Sequence, residues 1–156
     1  MMPEIIIGLL AAAFGSLGFA LMFRVRFRHL WVTALGGLLC YLVYLLTKEL
    51  TGGEFFPNLA AAILLAFYAE LCAHKLRAPV QIYLIPVLVP LIPGGFLYYS
   101  MYYLLAMDYL LFTDYLLVTL ETALGLAGGI VVGLAIANGF LSVRHRIADK
   151  RKARKM

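Results

Sequence analysis

Five long apolar stretches, at about residues 4–23, 29–48, 57–75, 79–107 and 115–142, are separated by short polar connections. At ~1.5 Å of rise per helical residue, each is long enough to cross a hydrocarbon layer about 30 Å thick. Lipid offers no partner to an open backbone group, so a span of this length closes its amides by forming helix. The fold class that follows is all-α: a polytopic membrane helical bundle of five transmembrane segments, one domain over residues 1–156. Composition agrees, with 64% hydrophobic and only 13% charged residues and a mean hydropathy of +0.95. The connections leave no room for a domain outside the membrane. Ala11-Ala12-Ala13 has the small residues of a signal cleavage site, but Glu4 precedes it and no lysine or arginine does. The first segment is therefore expected to stay as an anchor.

The fourth stretch is the anomalous one. As straight helix, residues 79–107 would cover roughly 43 Å, well beyond the hydrocarbon thickness. It also carries Pro86, Pro90, Pro93, Gly94 and Gly95 near its middle. Each proline lacks an amide donor and clashes with the carbonyl four residues back, which predicts freed carbonyls at Ile82, Pro86 and Val89. The fourth span is thus expected to break at this motif, with a second half-helix starting at Gly94 or Gly95. Broken backbone persists at membrane depth where protein or a watery cavity meets it. The amino end of the second half-helix suits a carboxylate, and the freed carbonyls suit a cation or ammonium. A kink used only for packing needs one proline; here three lie on one face at spacings of four and three.

Charge fixes an expected orientation. Arg24, Arg26, Arg28, Lys75, Arg77 and the seven basic residues from Arg144 to Lys155 fall on one side of a five-span chain, and Lys48 alone on the other. Basic residues mark the cytoplasmic side, so the amino terminus is expected outside and the basic tail, residues 143–156, in the cytoplasm. The net charge of +5 then reads as a topology signal with contact to anionic lipid, and nucleic acid is not an expected partner.

Ionisable groups within spans cost roughly 2.5 to 3.5 kcal/mol at the centre, so each needs a partner or a task. Glu121, flanked by Thr119 and Thr122, and Glu70, which shares a helical face with His74, are the candidates for proton coupling. Glu70 and His74 are too few for a metal site, and interhelical hydrogen bonding is the simpler role for Glu70. Gly125, Gly129 and Gly133 form a small-xxx-small stripe for close helix packing. Glu49, Glu54, Asp108 and Asp114 fall in or beside the connections, where solvation accounts for them. Tyr98 and Ser100 follow the break closely enough to line a pathway, whereas tyrosines further on suit an interfacial belt. Gln81 and Asn138 read as interhelical hydrogen-bonding groups. Cys40 and Cys72 lack metal-ligand spacing and read as buried thiols. No P-loop, dinucleotide fingerprint, HExxH or activated nucleophile occurs, so ATP-driven transport by this chain alone, enzymatic activity and a bound cofactor are not expected.

Val89-Pro90-Leu91-Ile92-Pro93-Gly94-Gly95, followed by Tyr98 and its neighbours, resembles the P-x-x-P-G signature in the carboxyl-terminal half of the threonine/serine exporter family. Gly18-Phe19-Ala20-Leu21-Met22-Phe23 ahead of a basic loop is similar to that half's first span. The resemblance covers essentially the whole chain. It implies a small subunit of an exporter in the bacterial cytoplasmic membrane, working with a larger membrane protein that supplies the other half, and a cargo such as threonine, serine or a dicarboxylate like succinate. Five spans amount to one bundle, and secondary transporters are commonly built from two around a midplane site. The one-sided charge disfavours dual insertion, which leaves a distinct partner or a parallel homo-oligomer. A gradient-driven exporter is the leading expectation. A non-transporting assembly subunit and an intramembrane enzyme using Glu70 and His74 are the alternatives.

Overall fold

A computed structural model describes the backbone of residues 2–153 and the side chains of residues 5–141. The described residues fold as α1 (Met2–Met22), α2 (Phe27–Thr51), α3 (Phe55–Leu76), α4 (Gln81–Leu88), a 3-10 turn (Val89–Leu91), α5 (Gly94–Leu105) and α6 (Tyr109–Ala153). Among the described residues, four helices have the length and apolarity to cross a membrane, and α4 with its 3-10 turn passes the same test together with α5 as a pair bent by 44°, the geometry of a broken span or a re-entrant loop. The all-helical bundle is as the hydropathy predicts. Its last helix is longer than expected: α6 begins six residues before position 115, and its apolar, membrane-length part is Tyr109–Leu141.

Helix ends follow local chemistry. Gly52 closes α2 in the left-handed region at φ 69, a conformation without steric penalty for glycine. Arg24, Arg77 and Met107 hold the same region with a side chain present. At the break, Pro86 sits inside α4, where it is buried, and the helix runs on past it. The chain leaves helical geometry only at Ile92, whose ψ of 133 is the extended conformation favoured before a proline, although Ile85 and Val89 stay helical before Pro86 and Pro90. The break therefore belongs to Pro90 and Pro93. Val89 is not left with a free carbonyl, because the 3-10 turn gives it the Ile92 amide at 3.2 Å, and Pro93 accepts from Leu97 at 3.0 Å.

Packing explains what the bend does. The first half of the broken span, α4, lies among α1, α2 and α3, whereas α5 packs principally against α6. Val87 of α4 is buried with Leu65 of α3 and Cys40 of α2, and Tyr83 with Ala69 and Ala73 of α3. The hydroxyl of Tyr83 meets Nδ1 of buried His29 at 2.6 Å, tying α4 to the start of α2. The most extensive contact joins α3 to α6. There Gly125, Gly129 and Gly133 meet a seam that includes Ala62 and Ala66, so closely that a Cβ on Gly129 would lie 2.5 Å from the Leu59 carbonyl oxygen and 2.6 Å from Ala62 Cβ. Residues without bulk let the two backbones approach and gain van der Waals contact, the force available between helices in lipid.

Candidate functional site

Because α5 swings 44° away from the line of α4 and follows α6, it parts from the ends of α2 and α3. The separation opens a cleft of about 440 Å³. One wall is the break itself, from Pro90 to Phe96; the others are Tyr41 and Tyr44 of α2, Glu54 and Asn58 at the start of α3, Tyr99 of α5, and Tyr115 and Thr122 of α6. Tyr41 lies ten residues before the end of α2 and Thr122 thirteen after the start of α6, so the cleft reaches ~15 to 20 Å along the helices. That depth carries it toward the middle of the apolar layer.

The polar groups are held by one another. Lys48 Nζ lies 2.6 Å from Glu54 Oε1 and donates to the Tyr44 hydroxyl at 2.9 Å, while Tyr44 donates to Glu54 Oε2 at 2.9 Å. The Glu54 side chain is only 15% exposed against 44% for Lys48, so the carboxylate is the sheltered member. Buried Asn58 donates from Nδ2 to the Glu54 carbonyl at 2.7 Å, one helical turn back, which fixes the first turn of α3. Opposite them, Gly94 and Gly95 open α5 without a side-chain cap. A Cβ on either would meet nothing within 4 Å. First-turn amides such as those of Gly95 and Phe96 have no acceptor within their own helix. Both residues line the cleft at the amino end of α5, the positive end of its dipole. The arrangement thus sets a carboxylate with hydroxyls on one side and amide donors on the other.

The structure sorts the residues singled out from sequence. Pro90, Pro93, Gly94 and Gly95 line the cleft; Pro86 does not, because it is buried in the core half of the span. Tyr98 points outward, 66% exposed, and Ser100 is buried with its hydroxyl donating to the Leu97 carbonyl at 2.8 Å. Their place is taken by Phe96 and Tyr99, which with Tyr103 stack around Tyr115 of α6 at 5.4 to 6.5 Å between ring centres. Glu121 lies on an exposed flank of α6, outside the α3 seam, one residue from cleft-lining Thr122. Glu70 is half-buried on α3 and His74 exposed, and neither lines the cleft. Gln81 and Asn138 are exposed, Cys40 is a buried free thiol, and Cys72 is a half-buried one. Among the described residues, no three His, Cys, Asp or Glu side chains are placed to hold a metal ion.

Glu54 and Asn58 are the polar pair that sequence reasoning missed, along with the Tyr41, Tyr44, Phe96 and Tyr115 walls. Glu54 looked like a solvated connection residue, yet it lies one helical turn from an asparagine inside an apolar span, and that asparagine was the available signal.

A family model described as Threonine/Serine exporter, ThrE, matches residues 8–137. The chain belongs to the threonine/serine exporter family. Most of its length, including the break and nearly all the cleft-lining helices, falls inside the match. Membership makes this a multi-pass membrane protein of exporter type, a transporter class and not an enzyme class. No similar protein was found among those of curated function, and no similar fold among solved structures. For this exporter-family chain, the break and the cleft are one structure: the signature Pro90-x-x-Pro93-Gly94 is the segment that turns α5 aside.

Proposed function

We propose that the chain is the small subunit of a gradient-driven exporter in the bacterial cytoplasmic membrane, and that the cleft beside the break is its part of the substrate pathway. The observation that carries this is the joint lining of a membrane-depth cleft by uncapped α5 backbone and by the Glu54, Tyr44 and Asn58 cluster. A zwitterionic amino acid fits both walls, its carboxylate against the α5 amides and its ammonium against Glu54. A dicarboxylate brings no ammonium to the Glu54 wall, and the family description names threonine and serine, so these are favoured over succinate. The basic connections face the cytoplasm, so the cleft opens to the outside. A larger membrane protein supplies the second bundle and covers apolar helix faces left open here.

Efflux from cells carrying this chain, with and without the protein encoded beside it, tests the reading directly. Threonine and serine are expected to leave only when both are present, and dicarboxylate levels to stay unchanged. Equal efflux in cells lacking this chain removes it from the pathway.

Two side chains give finer tests. Glu54→Gln is expected to lower apparent affinity for the amino acid about tenfold, the size of losing ~1.4 kcal/mol of charge-assisted contact. Expression should hold, because partly exposed ion pairs contribute about 0 to 1 kcal/mol to stability. Faster export of a dicarboxylate than of threonine or serine by the unaltered chain would reverse the cargo assignment. Of the two intramembrane carboxyls, Glu121 is the one beside the cleft, and we assign proton coupling to it over Glu70. Glu121→Gln is expected to uncouple efflux from an imposed proton gradient; coupling preserved in the variant ends that role.

A further inference from the structure

Four arginines line one pocket at the end of the bundle opposite the cleft. Arg24, Arg26 and Arg28 in and beside the α1–α2 connection share one pocket of about 430 Å³ with Arg77 from the α3–α4 connection. Its lining contains no carboxylate, and Lys48 with Glu54 forms an ion pair elsewhere. Like charges gathered this way repel one another unless an anion joins them. Two of the four are held in place by backbone geometry that a side chain disfavours: Arg24 at φ 55 and Arg77 at φ 51, where glycine would be relaxed. The pocket also includes His29, whose Nδ1 is occupied by Tyr83, leaving Nε2 as the other nitrogen.

The remaining lining is largely apolar, with Phe23 and Ile82 among it. Just beyond, Phe27 and Trp31 are 82% and 77% exposed. Aromatic side chains so placed, next to a basic loop, mark the level of lipid headgroups. Guanidinium forks match phosphate oxygens two at a time, and basic pockets between membrane helices suit lipid head groups. The volume leaves room for more than a phosphate, and the apolar wall suits the glycerol and acyl chains attached to one.

We propose that this pocket binds the phosphodiester headgroup of an anionic phospholipid, clasped between the two connections. Bound there, the lipid bridges α1 and α2 to α3 and α4 and neutralises the cluster. The site is distinct from the cleft and does not depend on what the cleft carries.

The test is lipid binding to the purified full chain in neutral detergent, read by native mass spectrometry with phosphatidylglycerol, with phosphatidylcholine, and with inorganic phosphate as a free-anion competitor. Phosphatidylglycerol is expected to bind at least about tenfold more tightly than phosphatidylcholine. Arg26→Gln with Arg77→Gln should weaken it about thirtyfold, from roughly fivefold per basic residue at an anionic headgroup. Lys152→Gln with Arg154→Gln removes the same charge from the tail and should leave binding intact. Equal loss in the tail variant, no loss in the pocket variant, or displacement by millimolar inorganic phosphate without lipid preference overturns the proposal. Should the glutamine pair fail to insert, Arg26→Lys with Arg77→Lys decides, since it keeps the charge that sets orientation. A loss of about threefold supports the paired guanidinium contact, and unchanged binding refutes it.

Discussion

Gly94→Leu is expected to reduce export by more than about tenfold in a protein that still inserts and folds. Both halves of that expectation rest on the open space around one glycine. A Cβ at Gly94 meets nothing within 4 Å, so the added side chain displaces no neighbour and instead projects into open space at the mouth of α5. That space is the cleft, since Gly94 lines it. No positive φ is recorded at this position, so no backbone strain opposes a side chain. A branched alkyl group there covers the first amides of α5 and takes volume from the pathway; loss of ~1.4 kcal/mol of substrate interaction already amounts to tenfold. Gly95→Leu should behave alike. Efflux assays paired with membrane yield and thermal stability in detergent check both halves. Unchanged efflux with unchanged yield would place the pathway elsewhere.

The second large effect has the opposite character. Gly129→Ala and Gly125→Ala are each expected to destabilise the bundle by ~1 to 3 kcal/mol, the usual cost of overpacking. Alanine is the better helix former by about 1 kcal/mol, so propensity alone predicts a gain. Sterics decide the sign. The added methyl would stand 2.5 Å from the Leu59 carbonyl at position 129 and 2.5 Å from the Phe55 carbonyl at position 125. Backbone cannot move aside as a flexible side chain does, so α3 and α6 must separate, and the α3 end that carries Glu54 and Asn58 moves with them. Gly18→Ala supplies the contrast, because a Cβ there meets nothing within 4 Å, and it is expected to leave stability unchanged or slightly raised. Melting temperatures of the three variants in one detergent test the pattern. A stabilised Gly129→Ala would mean that the α3–α6 seam is not close-packed.

Much of this architecture is legible in the residues because lipid makes few choices available. The all-helical class, the break in the fourth apolar stretch and the start of its second half at Gly94 follow from apolar length and from proline's missing donor. The glycine stripe on α6 was legible for a similar reason, since only packing uses repeated small residues every fourth position. The site was less so. Three prolines look equivalent in sequence, yet Pro86 is absorbed in the core while Pro90 and Pro93 make the break, a distinction set by what α4 packs against. Tyr98 and Tyr99 differ by one residue, or about 100° around a helix. The ring contact with Tyr115 sets Tyr99 on the cleft wall, 47% exposed, while Tyr98 stands outside it at 66%, and that partner is not adjacent in sequence. Glu54 was assigned to solvent because a connection residue carries no sign of the helix that will stand across from it.

Accessibility of the break to water is the most direct measure of the central claim. With Cys40 and Cys72 replaced by serine, a single cysteine at Gly95 should react within minutes with a membrane-impermeant thiol reagent added to the side that holds Lys48 and Glu54. Threonine or serine should slow that reaction. Complete resistance of the Gly95→Cys thiol, in a chain that still exports its cargo, would contradict a pathway through the cleft.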